Sequence, residues 1–180
     1  MANICSFSMC VKGKRISDIE QFYDAMSQNG NIYMGRGAEA EIKYAAGKVR
    51  AYIDGWCKWS IQSALIDNAI SMRWEPERWA FHGVNVNELE FVTLLEATKK
   101  WNLVVEVYSE EPGCEFQEHY IFDNGIIVED ECVEYCEFWL DDYDTKEEAE
   151  EAFGFKITDE EWESGDIICR GGFEEWEFVI

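Results

Sequence analysis

An α+β architecture, with an antiparallel or mixed sheet and helices gathered on one face, is predicted by three features of the 180 residues. Stretches of period-two hydrophobicity are interspersed with stretches of period 3.6, in the order strand, helix, hairpin, helix, strands. Turn signals at Asn29-Gly30, Gly47, Glu111-Pro112-Gly113 and Asp123-Asn124-Gly125 punctuate them. Hydrophobic residues make up 47 % of the chain and aromatics 15 %, eight Trp among them, which is enough to build a core despite a net charge of −23. With two prolines and no Gly/Ser/Pro-rich linker, the chain reads as one compact unit.

The opening ICSFSMCVKG alternates and stops at Gly13, a first strand. ISDIEQFYDAM follows as a helix: Ser17 and Glu20 spell a capping box, and Ile19, Phe22, Tyr23 and Met26 form one apolar stripe. EIKYAAGKVRAYIDGW reads as a hairpin around Gly47, its second strand running from about Val49 to Trp56. A second helix is expected near Ser60, with Ile61, Ala64, Leu65 and Met72 at helical spacing. A packed loop bearing Trp74, Trp79 and Phe81 comes next, then a third helix from Asn87 with Phe91, Leu94, Leu95 and Thr98 on one face and Glu96 able to pair with Lys100.

Strands return with LVVEVYS, CEFQEHYIF after Glu-Pro-Gly, and IIVEDECVEYCEFWL after Asn-Gly. Two short acidic helices are signalled by Thr145/Glu148 and Thr158/Glu161. The tail DIICRGGFEEWEFVI reads as strand, Gly-Gly turn, strand. The order contains β-α-β-β-α-β, the ferredoxin-like split motif. The expectation is therefore a ferredoxin-like βαββαβ domain over 1–140 with an insertion at 60–86. An acidic helical and strand extension over 141–180 would pack on it.

GKVRAYIDGWCKWS, the helix ending LEATKKWNL, and VVEVYSEEPGCEFQEHYIFDNG resemble the YubB-type ferredoxin-like domain carried by plasmids and phages. The resemblance runs from the first strand to about Gly125. It implies the fold and a mobile-element origin, and supplies no catalytic residues. Residues 60–86 are longer than that pattern, and the acidic part after 129 lies outside it.

Charge is placed unevenly. Residues 1–100 hold twelve basic and twelve acidic residues, whereas residues 101–180 hold three basic against twenty-six acidic. Such a surface repels nucleic acid and anionic lipid and attracts basic partners. Seven irregularly spaced cysteines, no basic-then-apolar leader and no apolar run of membrane-spanning length lead us to expect a host-cell cytoplasm with reduced thiols.

Catalytic signatures are missing: no G-x-S-x-G, no Walker A loop, no H-E-x-x-H. His82 and His119 lack a neighbouring nucleophile, and no one pair stands out among thirty-eight carboxylates. The reading is a non-enzyme without cofactor. Cys114, His119, Cys132 and Cys136 are the only thiol-imidazole set worth weighing for zinc. Strand residues four apart lie roughly 13 Å from each other, too far for one ion. DDYDTKEEAEE lacks the glycine and final glutamate of an EF-hand loop, so no metal site is expected there either.

The acidic segment is what remains. Residues 129–151 hold twelve carboxylates and one lysine. Helix dipoles account for acids in first turns. They do not account for like-charge i,i+4 pairs such as Glu147 and Glu151, each costing about 0.2–0.5 kcal/mol. Carboxylates about 6–7 Å apart along a strand approximate the spacing of backbone phosphates. The sequence thus suggests a phage- or plasmid-encoded inhibitor that docks into the basic channel of a nucleic-acid-handling host protein, such as an RNA-guided CRISPR nuclease. Anti-CRISPR proteins supply the analogy. Its contacts would be Glu129, Asp130, Glu131, Glu134, Glu137, Asp141, Asp142, Asp144, Glu147, Glu148, Glu150 and Glu151, interleaved with aromatics such as Trp139 and Tyr143. Two other readings fit the same composition: a structural domain whose acidity serves solubility, and a small-ligand sensor with a pocket of Trp56, Trp59 and Trp79.

Overall fold

The computed structural model describes residues 4–27, 32–33, 41–45, 48–67, 93–165 and 167–180. Within them run β1 (Ile4–Gly13), α1 (Ile16–Ser27), β2 (Ile32–Tyr33), β3 (Glu41–Ala45) and β4 (Lys48–Lys58). A short π-type helix (Gln62–Asp67), α2 (Leu94–Trp101), β5 (Val104–Glu111), β6 (Phe116–Asp123), β7 (Ile126–Trp139), α3 (Lys146–Phe153), α4 (Asp159–Ser164) and β8 (Ile167–Gly171) follow. The fold is α+β with an open sheet in which every pairing is antiparallel. Six strands form its main ladder in the order β3-β4-β1-β5-β6-β7, with two-residue β2 also on β4 and β8 on the far half of β7. Among the described residues no helix is long and apolar enough to cross a membrane.

Strand alternation divides the sheet into two faces. Cys5, Phe7, Met9 and Val11 of β1, Val49, Ala51 and Ile53 of β4, Val105 and Val107 of β5, and Tyr120 and Phe122 of β6 share one side. They are buried with Ile19, Phe22 and Met26 of α1 and Leu94, Ala97 and Trp101 of α2. The apolar stripes of both helices therefore meet the apolar side of the sheet. Phe22 and Trp101 make an edge-to-face contact at 6.3 Å.

Local detail differs from the sequence reading in three places. Helix α1 begins at Ile16, so Ser17 sits inside the first turn, and Arg15 bridges both oxygens of Asp18 at 2.8 and 2.6 Å. The capping box of α2 is Thr93/Glu96, so Glu96 reaches back to the Thr93 N–H. The reading that starts this helix at Asn87, with the loop at 73–86, lies outside the described residues. The residues after β8 form no second strand; 173–180 cross the sheet face opposite α1 and α2, with the N–H groups of Phe173, Val179 and Ile180 bonded to side chains.

The Asn124-Gly125 turn joins β6 to β7 with φ of 47° and 86°, as its sequence predicts. A bulge follows: Phe122 pairs with Ile127 but Ile121 with Glu129, leaving Val128 as the extra, exposed residue. Beyond Glu134, β7 changes partner from β6 to β8. There Leu140, Ala149, Ile157 and Ile168 make a second small core with Phe138, Phe153, Phe155 and Trp162. Helices α3 and α4, both N-capped by threonine, close over it.

Candidate functional site

The face opposite α1 and α2 carries Glu106 and Tyr108 of β5, His119 of β6, and Glu129 and Glu131 of β7 side by side in register. Glu106 has no solvent exposure. Its Oε2 accepts the N–H groups of Val179 and Ile180 at 2.8 and 3.1 Å, and its Oε1 lies 3.0 Å from His119 Nε2. The tail thus folds onto a buried carboxylate. Tyr108 stacks on His119 at 4.0 Å between ring centres, and on Trp176 at 5.7 Å. Its hydroxyl donates to the Glu177 carbonyl, and burial raises its pKa, with Glu106 and the β7 carboxylates adding to the rise. On its other side, His119 Nδ1 faces Glu129 Oε1 at 3.5 Å.

The acidic residues expected to bind a partner divide by position. Glu129 and Glu131 lie on the tail-covered face, while Glu137, opposite Cys169 of β8, accepts from the Tyr135 hydroxyl at 2.8 Å. Asp130 and Glu134 project to the opposite face of the same strand. From 126 to 133 β7 pairs with β6 alone among the described residues, and at Glu134 the carbonyl already accepts the Gly172 N–H at 2.7 Å, so the carboxylates before it line both sides of a free sheet edge. Asp141, Asp142 and Asp144 occupy the exposed turn leading to α3, and Glu147, Glu148 and Glu151 its exposed surface. Glu150 turns inward instead: it accepts from Lys156 and, at 3.1 Å, from the Ile157 N–H, contacts that lower its pKa.

All three basic residues of the acidic half are committed. Lys146 holds Asp159 at 2.6 Å, Lys156 holds Glu150, and Arg170 holds Glu161 at 2.8 Å. The Arg170 guanidinium, with the Thr158 N–H, pulls the Glu161 carboxyl down to about 2. The negative field of this end is therefore scarcely neutralised from within.

Comparison with protein-family models, with curated proteins and with solved structures finds no match for the chain. Function must be argued from the geometry alone.

The thiol set does not converge. Cys132 pairs with Glu118 on the helix side of the sheet, Cys136 follows with the same alternation, and His119 is on the other face. The stretch 141–151 is not a loop, because α3 begins at Lys146 within it. Of the expected ligand pocket, Trp79 lies outside the described residues and Trp59 is exposed away from the sheet cleft. Trp56 does line a cleft of about 310 Å³, together with Trp176 of the tail and with Ser6, Ser8, Asp54 and Glu110.

Sequence reasoning missed the burial of Glu106 and Glu118, two of the four buried carboxylates among the described residues. Glu106 sits in an apolar strand and reads as outward-facing; it is buried only because the tail covers that face. Glu118 is buried on the helix side, where it accepts the Ile61 N–H at 2.8 Å and the Ser109 hydroxyl at 2.8 Å. It thereby anchors the start of the 62–67 helix to β6. The available signal was parity: Glu106 and Tyr108 alternate with Val105 and Val107, and Tyr108 and His119 pair directly across the hairpin.

Proposed function

We propose that the protein is a non-enzymatic, phage- or plasmid-encoded inhibitor whose acidic end docks on a basic, nucleic-acid-handling host protein, such as an RNA-guided CRISPR nuclease, in place of DNA. One observation carries this reading. The carboxylates of β7 line a strand edge that pairs with no further strand from 126 to 133 among the described residues, and they continue into the exposed acids of 141–151. Such an edge offers charge at strand spacing on both faces, which a groove built for a charged duplex can embrace. The order β3-β4-β1-β5, with α1 and α2 as connections on one face, supports reading the first part as a ferredoxin-like split motif of the YubB type. Strands β6 to β8 would then be the added platform for the acidic end.

The test is competition. A guide-loaded CRISPR nuclease is incubated with labelled duplex DNA and increasing protein. Wild type displaces the DNA in a salt-sensitive manner. The D141K/D142K/D144K/E147K variant, whose changes are all on exposed positions, needs at least tenfold more protein. Equal potency of the two proteins, or no displacement by wild type, defeats the reading for that partner.

The cleft favours a second reading, a sensor of small cationic ligands. Trp56, Trp176, Asp54 and Glu110 all line it, and aromatic faces together with carboxylates hold ammonium or guanidinium groups. Tryptophan fluorescence during titration with arginine or tetramethylammonium measures it, and a flat response removes it.

A further inference from the structure

We propose that His119, Glu129 and Glu131 form a divalent transition-metal site, with Glu106 as its positioning residue. The donor atoms of the three side chains all lie within 4.8 Å of one another. Ligands on one tetrahedral ion, with bonds of about 2.0–2.2 Å, stand ~3.3–3.6 Å apart. His119 Nδ1 and Glu129 Oε1, at 3.5 Å, already have that separation. Glu129 and Glu131 are exposed at the sheet edge, so small rotations of their side chains bring the third donor in.

Acidic clusters on a surface are common without an ion; the histidine makes this one different. The Glu106 carboxylate already accepts two backbone N–H groups, and its remaining oxygen lies 3.0 Å from His119 Nε2. A carboxylate has no proton to give in that contact, so Nε2 carries the hydrogen. On the other edge of the ring Nδ1 faces Glu129 Oε1 at 3.5 Å, and the ring is only 5 % exposed, so one fixed imidazole nitrogen is aimed into the carboxylate pair. A carboxylate holding the far nitrogen of a metal-bound imidazole is also the usual way such a ring is oriented. Stacking on Tyr108 at 4.0 Å and 12°, and the edge of Phe173 at 6.0 Å, fix the ring plane. One imidazole and two carboxylates suit a first-row transition ion such as zinc better than calcium, which takes six to eight oxygen ligands. Water would complete the shell on the exposed side.

The experiment is calorimetric titration of the chelator-treated full chain with Zn²⁺, together with ¹⁵N ring spectra of its two histidines. Wild type binds one Zn²⁺ saturably, and the His119 Nδ1 resonance shifts on binding. E129Q/E131Q, both exposed and safe for folding, weakens that site more than about 100-fold. E106Q presents an amide N–H to Nε2, turns the ring to its other tautomer and weakens binding about 10–100-fold. D141N/D142N/D144N, which removes as much charge elsewhere, leaves the affinity unchanged. The site is overturned by any of three results: no saturable binding, zinc binding that survives E129Q/E131Q, or equal loss in the Asp141–Asp144 variant. A metal-free ring that carries protons on both nitrogens at neutral pH and does not respond to zinc overturns it as well. Unchanged affinity in E106Q removes the positioning role.

Discussion

Truncating Glu106 tests how the tail is held. Glu106→Ala leaves three donors without their acceptor: the His119 ring and the N–H groups of Val179 and Ile180. The ring bond is buried and charge-assisted, about 2–3 kcal/mol. The two tail bonds contribute about 1 kcal/mol together, because Val179 is 74 % exposed and water replaces the lost acceptor there. The expected loss is therefore about 3–4 kcal/mol, in the range seen when one partner of a buried pair is removed. For a chain of this size that corresponds to a fall in Tm of about 6–16 °C. Urea unfolding followed by tryptophan fluorescence reads it directly, since Trp176 rides on the tail and stacks on Tyr108. Combining Glu106→Ala with His119→Ala in a double-mutant cycle isolates the pair, and a coupling of about 1–3 kcal/mol is expected. A cycle that closes to within about 0.5 kcal/mol refutes the buried Glu106–His119 pair, and a Glu106→Ala loss under ~1 kcal/mol refutes the claim that this carboxylate ties the tail to the sheet.

Phe122 is fully buried and stacks on Tyr120, so Phe122→Ala should cost about 3–5 kcal/mol in denaturant unfolding. Gly171 has φ of +74°, and a Cβ there would stand 2.3 Å from the Glu134 carbonyl oxygen. Gly171→Ala should destabilise the β7–β8 end by more than ~2 kcal/mol, seen as early amide exchange in 167–171 with the main sheet still protected. Acid should unfold that same end first. Glu161 is held at about 2 by Arg170 and the Thr158 N–H, and Asp159 and Glu150 are lowered by Lys146 and Lys156. Carboxyls lowered in the folded state stabilise fully above their unfolded value near 4.5, and that contribution is lost as pH falls from there toward 2. Melting scans should show the decline beginning below pH 4.5, and Arg170→Gln should flatten it.

The β6–β7 hairpin was legible because Asn124-Gly125 is a local instruction: positive φ at two successive residues suits few other pairs. The Thr158/Glu161 capping box was legible for the same reason, being complete within four residues. The Thr93/Glu96 box that opens α2 was local too, since TLLE spells it within four residues, but it went unread beside the start expected at Asn87, which lies outside the described residues. Glu106 and Glu118 were illegible. A carboxylate in a strand is ordinarily solvated, and each was buried by a segment distant in sequence, the tail at 179–180 and the helical turn at 61–62. The alternating aromatics of the tail suggested a strand, but the backbone donors found side-chain acceptors instead of a neighbouring ladder.

By itself the sequence determined the α+β class, the order of the described elements up to β8, the Asn124-Gly125 turn, and the gathering of negative charge in the last eighty residues, since propensity, periodicity and charge are properties of neighbours along the chain. Only the tertiary structure decided which carboxylates became internal acceptors, that β7 presents its acids on two faces of one edge, and that a histidine lies between Glu106 and Glu129. Those outcomes depend on register and on what covers each face. Burial converts an ordinary charged residue into a structural or ligand-binding group, and burial is set by contacts between segments far apart in sequence.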